Sequence, residues 1–372
     1  MEAVSTHTSN RILREDLAAV YESLSTAERA KLQGATILLT GPGGFLGYFF
    51  MHFFAEYAPQ LNLRRVVALE NFLTGPRAWL EELAAEHPGL IELREFDVIT
   101  DDVAAVPGAD EADLVIHLAS IASPTFYRRY PLETVDANVT GLRRLLDYYA
   151  GRPLRGFLFF SSSEIYGDPL PQFIPTPEDY RGNVATIGPR ACYDEAKRFG
   201  ETLCYLFAEK YGMPIGIARP FNNYGPGMGL GDQRLPADFA RAVVEGRDLE
   251  ILSDGSPTRT FCYISDAISG YLKVLLHGQF GVFNIGQDQP ELSVRQYAEL
   301  FEQAGREVFG YQGRITFQTS PDRHYLTDNP NRRCPDLSRA RRELGYAPRV
   351  DVATGVRRYL QFLHASSPVP AS

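Results

Sequence analysis

Thr36-Ile37-Leu38-Leu39-Thr40-Gly41-Pro42-Gly43-Gly44-Phe45-Leu46-Gly47 decides the fold. Thr36 to Leu39 reads as a short buried strand, and Phe45 to Tyr57 as an apolar helix. Between them the glycines fall as Gly41-x-x-Gly44-x-x-Gly47. Glycine lets a backbone come close to a ligand, and the N-terminus of a helix offers N–H donors and the positive end of its dipole. The triplet alone is equally a tight turn. Its place between a strand and a helix points instead to a dinucleotide phosphate cradle made by Gly41, Gly44, Phe45, Leu46 and Gly47.

Working outward, the strand-helix rhythm repeats. Val66 to Leu69 is a second buried strand ending in Glu70-Asn71. An acid there accepts hydrogen bonds from both adenosine ribose hydroxyls and repels a 2′-phosphate, which favours NAD over NADP. A third strand, Ile91 to Phe96, ends in Asp97-Val98, beside the expected adenine edge. A fourth, Leu114 to Leu118, leads into Ala119-Ser120, small residues suited to lying against the cofactor; His117 at its end reads as a packing residue. A helix over Leu132 to Tyr149 follows, with Asn138 in its middle. Such alternation predicts an α/β protein: a Rossmann-type doubly wound parallel sheet, with a smaller C-terminal α/β substrate-binding lobe. The expected division is an N-terminal helical arm (1–35), a nucleotide-binding domain (36–225, with 260–290 returning to it), the lobe (226–259 and 291–365) and a disordered tail (366–372). Ser25 to Glu28 in the arm has capping-box spacing.

The chemistry is expected between Ser161 and Arg198. Ser161-Ser162-Ser163-Glu164 follows the apolar run Gly156 to Phe160, at a strand's carboxyl end. In open parallel sheets that is where ligands sit. Arg190-Ala191-Cys192-Tyr193-Asp194-Glu195-Ala196-Lys197-Arg198 opens a helix running to about Tyr211. Tyr193 and Lys197 are four apart and share a helix face. Either they are a solvated helical pair, or the ammonium favours the phenolate and Tyr193 serves as a base towards a sugar hydroxyl. With 20 tyrosines in 372 residues and lysine only at positions 31, 197, 210 and 273, chance supplies about 0.2 such pairs. The company of the pair therefore matters more than the pair.

Composition removes other classes. A formal net charge of −9 with no basic tract argues against nucleic-acid binding. No secretion-signal pattern opens the chain and the apolar stretch Phe45 to Phe54 is too short to span a bilayer, so a soluble cytoplasmic protein is expected. Cys192, Cys204, Cys262 and Cys334 have neither metal-ligand nor disulfide spacing, and no metal is expected.

Gly188 to Arg198, Ser163-Glu164-Ile165-Tyr166-Gly167-Asp168-Pro169, Glu178-Asp179-Tyr180, His117 to Ser120, Glu70 to Gly75 and Asp254 to Asp266 together resemble the extended short-chain dehydrogenase/reductase superfamily. The likeness covers nearly the whole chain after the arm, and within the superfamily it is to the UDP-glucuronate decarboxylases (UDP-xylose synthases). It implies that Tyr193, with Ser162 and Lys197, deprotonates the sugar 4-hydroxyl while NAD takes the C4 hydride. The resulting β-keto acid loses carbon dioxide, and protonation at C5 with return of the hydride gives the pentose. By the same resemblance Arg259 is the active-site arginine, Ser163 and Glu164 the Ser-Glu pair, Asn222 and Arg234 sugar and diphosphate contacts, and Arg333 a nucleotide contact. A substrate role for Asn138 and a homodimer through the Leu132–Tyr149 and Arg190–Tyr211 helices also rest on it.

Ser163 is informative, because related 4,6-dehydratases place an Asp there to help expel a hydroxyl, whereas related 4-epimerases usually lack the Glu. Other departures are Glu70 where Asp is usual, Ser162 for Thr, Pro42 within the glycine loop, and Arg181 to Thr186 in place of Trp-Gly-His-x-Asn-Pro. The expected activity is decarboxylation of a nucleotide-linked uronic acid, with 4-epimerase, 4,6-dehydratase and an NAD(H)-sensing protein as the alternatives. A sensor needs the glycine loop but no Ser-Tyr-Lys set.

Overall fold

The structure, a computed structural model, describes residues 10–319 and 330–366. The expected tail beyond Ser366 lies outside them. Seven strands, β1 (Thr36–Thr40), β2 (Arg65–Glu70), β3 (Ile91–Glu95), β4 (Leu114–His117), β5 (Gly156–Phe160), β6 (Ile215–Pro220) and β7 (Gly281–Ile285), form one parallel sheet in the order 7-6-5-4-1-2-3. Alternate residues serve opposite faces. Ile37, Leu39, Ile116, Leu158 and Phe160 join the core beneath helices Arg11–Ser23, Phe45–Leu61 and Ile264–Leu276. Leu38, Val67, Val115, Phe157 and Phe159 join a second core under Leu142–Tyr149 and Ala191–Tyr211. Burial on both faces is why the strands read as continuous apolar runs.

The strand order reverses between β1 and β4, and a crevice opens at the carboxyl ends there. The C-terminal lobe faces this crevice. In it Leu249–Ile251 pairs with Ile315–Phe317, and Thr258–Arg259 lies between Leu292–Ser293 and Arg332–Arg333. Helices Leu235–Val244, Val294–Phe309 and Val352–Ser366 pack behind these short pairings.

One element departs from the sequence reading. The helix expected over Leu132 to Tyr149 is interrupted by a π-helical turn at Ala137–Gly141. There Gly141 lies so close to Val98 that a Cβ would sit 2.7 Å from its Cγ2. The N-terminal helical segment packs on the domain, with Leu13, Leu17 and Val20 buried in the main core. Asp16 accepts hydrogen bonds from Tyr263 Oη (2.6 Å) and Arg358 Nη2 (2.7 Å). Breaking a buried ion pair strands its partner. Asp16→Ala should therefore lower the unfolding free energy by about 3 kcal/mol, seen as a lower urea midpoint with unchanged slope. The expected capping box is present, Glu28 N donating to Ser25 Oγ and Ser25 N to Glu28.

Candidate active site

A cavity of ≈ 890 Å³ runs from the glycine loop past the ends of β4 and β5 to the lobe. Gly41, Gly44, Phe45, Leu46, Gly47, Leu118, Ser120, Ser162, Ser163, Glu164, Tyr193, Lys197, Asn222, Arg234, Arg259 and Arg333 all line it. Residues nearly 300 positions apart in sequence (41 and 333) thus meet in one space.

The glycine loop has the shape a dinucleotide needs. A Cβ on Gly41 (φ +74°) would lie 2.6 Å from Ala119 N, so β1 and β4 close on each other only with glycine there. A Cβ on Gly47 would meet Pro42 O at 2.2 Å, which keeps the helix against the turn. At Gly44 the nearest atom would be 3.9 Å away, so that face is open. Gly44 is also the N-cap of Phe45–Leu61 and no side chain caps that helix, leaving its first N–H groups available to a pyrophosphate. Gly44→Val should therefore weaken NAD binding by more than about tenfold, measured by calorimetry, with the melting temperature unchanged to within about 2 °C.

Glu70 carries two backbone contacts that the sequence reading did not include. Its carboxylate accepts from Gly43 N (2.7 Å) and Phe72 N (2.9 Å), bracing the glycine loop against the β2 turn. It is buried and outside the cavity wall. Asn71 donates to Asp97 (3.2 Å), Val98 packs under Gly141, and Ala119 N donates to Thr40; these three sites flank the cavity without lining it. Asn138 is fully buried, donates to Thr134 O (2.8 Å) and does not reach the cavity wall. His117 packs on Phe159 and shares a hydrogen bond with Thr40; burial pushes its imidazole down to about 3, so it is neutral.

Tyr193, Lys197 and Ser162 converge. The Tyr193 ring stacks on Tyr127 (5.2 Å, 13°), and the Ser162 hydroxyl lies on its phenol side, where it favours the ionised form. Lys197 Nζ is 5.6 Å from the Tyr193 ring and donates to Phe160 O (2.6 Å). The expectation that this ammonium lowers the phenol is not met. Burial pushes Tyr193 up to about 12, against the Ser162 hydroxyl, which lowers it. Burial also pushes Lys197 down to about 7, and its ammonium is committed to a carbonyl rather than to the phenol oxygen. Desolvation, not the neighbouring amine, dominates both groups.

The environment of Glu164 was the least legible in sequence. Arg333 Nη2 donates to Glu164 Oε2 (2.7 Å), its Nη1 donates to Oε1, and Arg190 closes the same carboxylate from the other side. Burial would raise this acid, but the guanidiniums of Arg190, Arg333 and Arg259 hold it well below the carboxylate range. Arg259 donates to the carbonyls of Thr258 (2.7 Å) and Asn331 (3.3 Å). Glu164 is thus gripped by Arg190 and Arg333, while Arg259, the arginine singled out by the resemblance, lines the same cavity. Burial and then the charge of Arg333 push Arg259 down to about 9. Asp194, beside Arg190, is pushed up to about 7 by burial and then by the charge of Glu164. Arg234 is held by Asp232 (Nη2–Oδ2 2.7 Å), and Asn222 Nδ2 donates to Thr260 O (2.9 Å).

Residues 37–286 match the NAD dependent epimerase/dehydratase family. The chain belongs to that family. A UDP-glucuronic acid decarboxylase 3 of Arabidopsis thaliana is 35% identical over 321 residues, 86% of each chain. A UDP-glucuronic acid decarboxylase 1 of Xenopus tropicalis is 34% identical over 328 residues, 88% of this chain and 71% of that one. In fold the protein resembles the UDP-glucuronic acid 4-epimerase of Bacillus cereus, at 23% identity and a TM-score of 0.71, over 89% of this chain and 99% of that one. The epimerase/dehydratase fold accounts for the parallel sheet and the added lobe, and NAD is the cofactor. The protein is an NAD-dependent, sugar-nucleotide-modifying enzyme of this family. Among the described residues no helix is long and apolar enough to cross a membrane, and no cluster of His, Cys, Asp or Glu could hold a metal ion.

Arg190 had drawn no functional assignment in sequence, although it stands three residues before Tyr193, one helical turn away. That spacing was the available signal.

Proposed function

We propose that this enzyme decarboxylates a nucleotide-linked uronic acid, UDP-glucuronate foremost, by transient oxidation at C4. NAD, held at the Gly41–Gly47 loop, would supply a reversible hydride acceptor for C4. Tyr193 Oη takes the proton of the sugar 4-hydroxyl, and Ser162 holds the phenol in place. Lys197, a turn further along, fixes the floor of the site through Phe160 O and would hold the nicotinamide ribose. In this reading Arg234 and Asn222 orient diphosphate and sugar, and Glu70 holds the loop that receives the adenosine half.

The observation that carries this reading is the arginine excess at Glu164. Arg190 and Arg333 hold the one carboxylate of Glu164 while Arg259 lines the cavity beside them, so the wall keeps positive charge for a second carboxylate, that of the sugar. Ser163 beside Glu164 offers a hydroxyl where expulsion of water would call for an acid. Both features suit loss of carbon dioxide better than loss of water. The names of the relatives at about one-third identity agree. A homodimer through the Leu132–Tyr149 and Ala191–Tyr211 helices is part of the proposal.

The test is incubation with UDP-glucuronate and NAD, with products resolved by NMR. A UDP-pentose and carbon dioxide in equal amounts are expected. A six-carbon epimer with its carboxyl retained would reject decarboxylation, and turnover of UDP-glucose to a 4-keto-6-deoxy sugar would reassign the enzyme to dehydration.

A further inference from the structure

Behind the catalytic residues lies a buried network that the mechanism above does not use. Glu201 sits on the helix Ala191–Tyr211, one turn after Lys197 and two after Tyr193, on the same face. Its carboxylate accepts two hydrogen bonds from Arg219 at the end of β6, Nε to Oε1 at 2.8 Å and Nη2 to Oε2 at 2.6 Å. This is the bidentate geometry of a strong, directional pair. Glu201 Oε1 also accepts from Ser161 Oγ at 2.5 Å, and Ser161 immediately precedes Ser162. From its other end Arg219 Nη1 donates to Tyr166 Oη (2.6 Å) and to Glu178 O (2.8 Å). Tyr166 closes the short turn Ser163–Tyr166 and donates in turn to Asn284 Oδ1 on β7 (2.8 Å). The residue before Ser162 and the last residue of the Ser163–Glu164 turn are therefore both tied to one ion pair. That pair is anchored on the helix that carries Tyr193 and Lys197.

We propose that the Glu201–Arg219 pair is a positioning element, which holds the Ser162 hydroxyl in register with the Tyr193 phenol across two separate secondary-structure elements. It touches neither cofactor nor sugar; it acts through Ser161 and Tyr166. β5 and the helix meet by apolar packing and by the Lys197 Nζ–Phe160 O bond (2.6 Å), and the bidentate pair with its two hydroxyl bonds adds an anchor on Ser161 and Tyr166, at the two ends of the stretch that carries Ser162. The proposal rests on the assignment of Tyr193 as the base.

If the pair is loosened, Ser162 drifts from Tyr193 and its contribution to ionising the phenol falls. Tyr193 is also faced by Lys197 and Asp194 on its own helix, Glu164 on the β5 turn and Arg234 on the lobe. None of these is bonded to Glu201 or Arg219, so their influence stays in place. The prediction is specific to pH. Activity that rises as Tyr193 loses its proton should rise at higher pH in the variant.

The experiment is steady-state kinetics of Glu201→Gln on NAD-loaded enzyme between acid and alkaline pH. The expected result is kcat at neutral pH down about tenfold, KM and NAD affinity within about twofold, and the acid limb of kcat moved upward by at least about half a pH unit. In a Ser162→Ala background the same substitution should cost less than about twofold, because the hydroxyl it positions is gone. Tyr166→Phe, which removes one hydroxyl and no charge, should show a smaller shift in the same direction. If Glu201→Gln does not fold, Glu201→Leu with Arg219→Met removes both charges together and should give the same kinetics. An unmoved acid limb, or full additivity with Ser162→Ala, would overturn the positioning role whatever the melting temperature does. Tyr193→Phe run alongside separates the two claims: turnover in that variant defeats the base assignment, while a dead Tyr193→Phe beside a normal Glu201→Gln defeats only the positioning proposal.

Discussion

Tyr193→Phe should lower turnover by about a thousandfold or more while NAD binding stays within about twofold of wild type. The substitution removes one oxygen and keeps the ring. The ring is what stacks on Tyr127 and fills the buried space, so the fold loses only the phenol oxygen. Burial holds the phenol at about 12 in the free protein, which makes the ionised form scarce at neutral pH. The positive charge that NAD brings beside the phenol would favour its ionised form, so the acid limb of activity should report the holoenzyme. Binding should survive because the phosphate cradle at Gly41 to Gly47 is formed by backbone far from the phenol oxygen. Binding by calorimetry and turnover on one preparation decide the matter. Comparable losses of both would mean that Tyr193 is structural, and wild-type turnover would remove it from the chemistry.

Glu164→Gln should slow carbon dioxide release by about a hundredfold, again with NAD affinity nearly unchanged. The change is isosteric, yet it leaves Arg190 and Arg333 facing one another across a neutral amide. Breaking a buried charge pair costs more than the pair itself is worth, so the variant should also melt lower. The pH dependence follows from the direction of the shift. Glu164 is held below its ordinary range when folded, so its stabilising contribution is present in full above the unfolded carboxylate's range. It is lost as pH falls through the lowered folded value. Wild type and Glu164→Gln should accordingly converge in stability on acidification. If Glu164→Gln lost cofactor binding and turnover in equal measure, the carboxylate would be part of the scaffold and not of the sugar site.

What could be read in the sequence was local. The strand, the Gly41-x-x-Gly44-x-x-Gly47 turn and the helix are contiguous, and contiguity is what fixes their geometry. Tyr193 and Lys197 are four apart on one helix, so their convergence needed only the helical repeat. The capping box at Ser25 to Glu28 was legible for the same reason. The clamp on Glu164 was not, because Arg190 and Arg333 lie 26 and 169 residues away and only the tertiary fold brings them together. The return of 260–290 to the sheet domain was expected, but the strand Gly281–Ile285 itself was not named, because its partner β6 is separated from it by the lobe segment. The π turn at Ala137–Gly141 leaves no mark on the apolar periodicity of a helix that continues on both sides. The electrostatic error at Tyr193 has a different origin. Proximity of a cation was read from the spacing, while burial, which outweighs it, is a property of the folded chain.

The central claim is that C4 of a uronic acid is oxidised and reduced within one bound cycle while its carboxyl group leaves. The most direct measurement follows UDP-glucuronate carrying deuterium at C4, in ordinary water, over NAD-loaded enzyme by NMR. The account predicts a UDP-pentose that keeps deuterium at C4, gains one solvent proton at C5 and is matched by one carbon dioxide. A product that retains the carboxyl group with C4 inverted, or a pentose whose C4 carries protium from water, would contradict it.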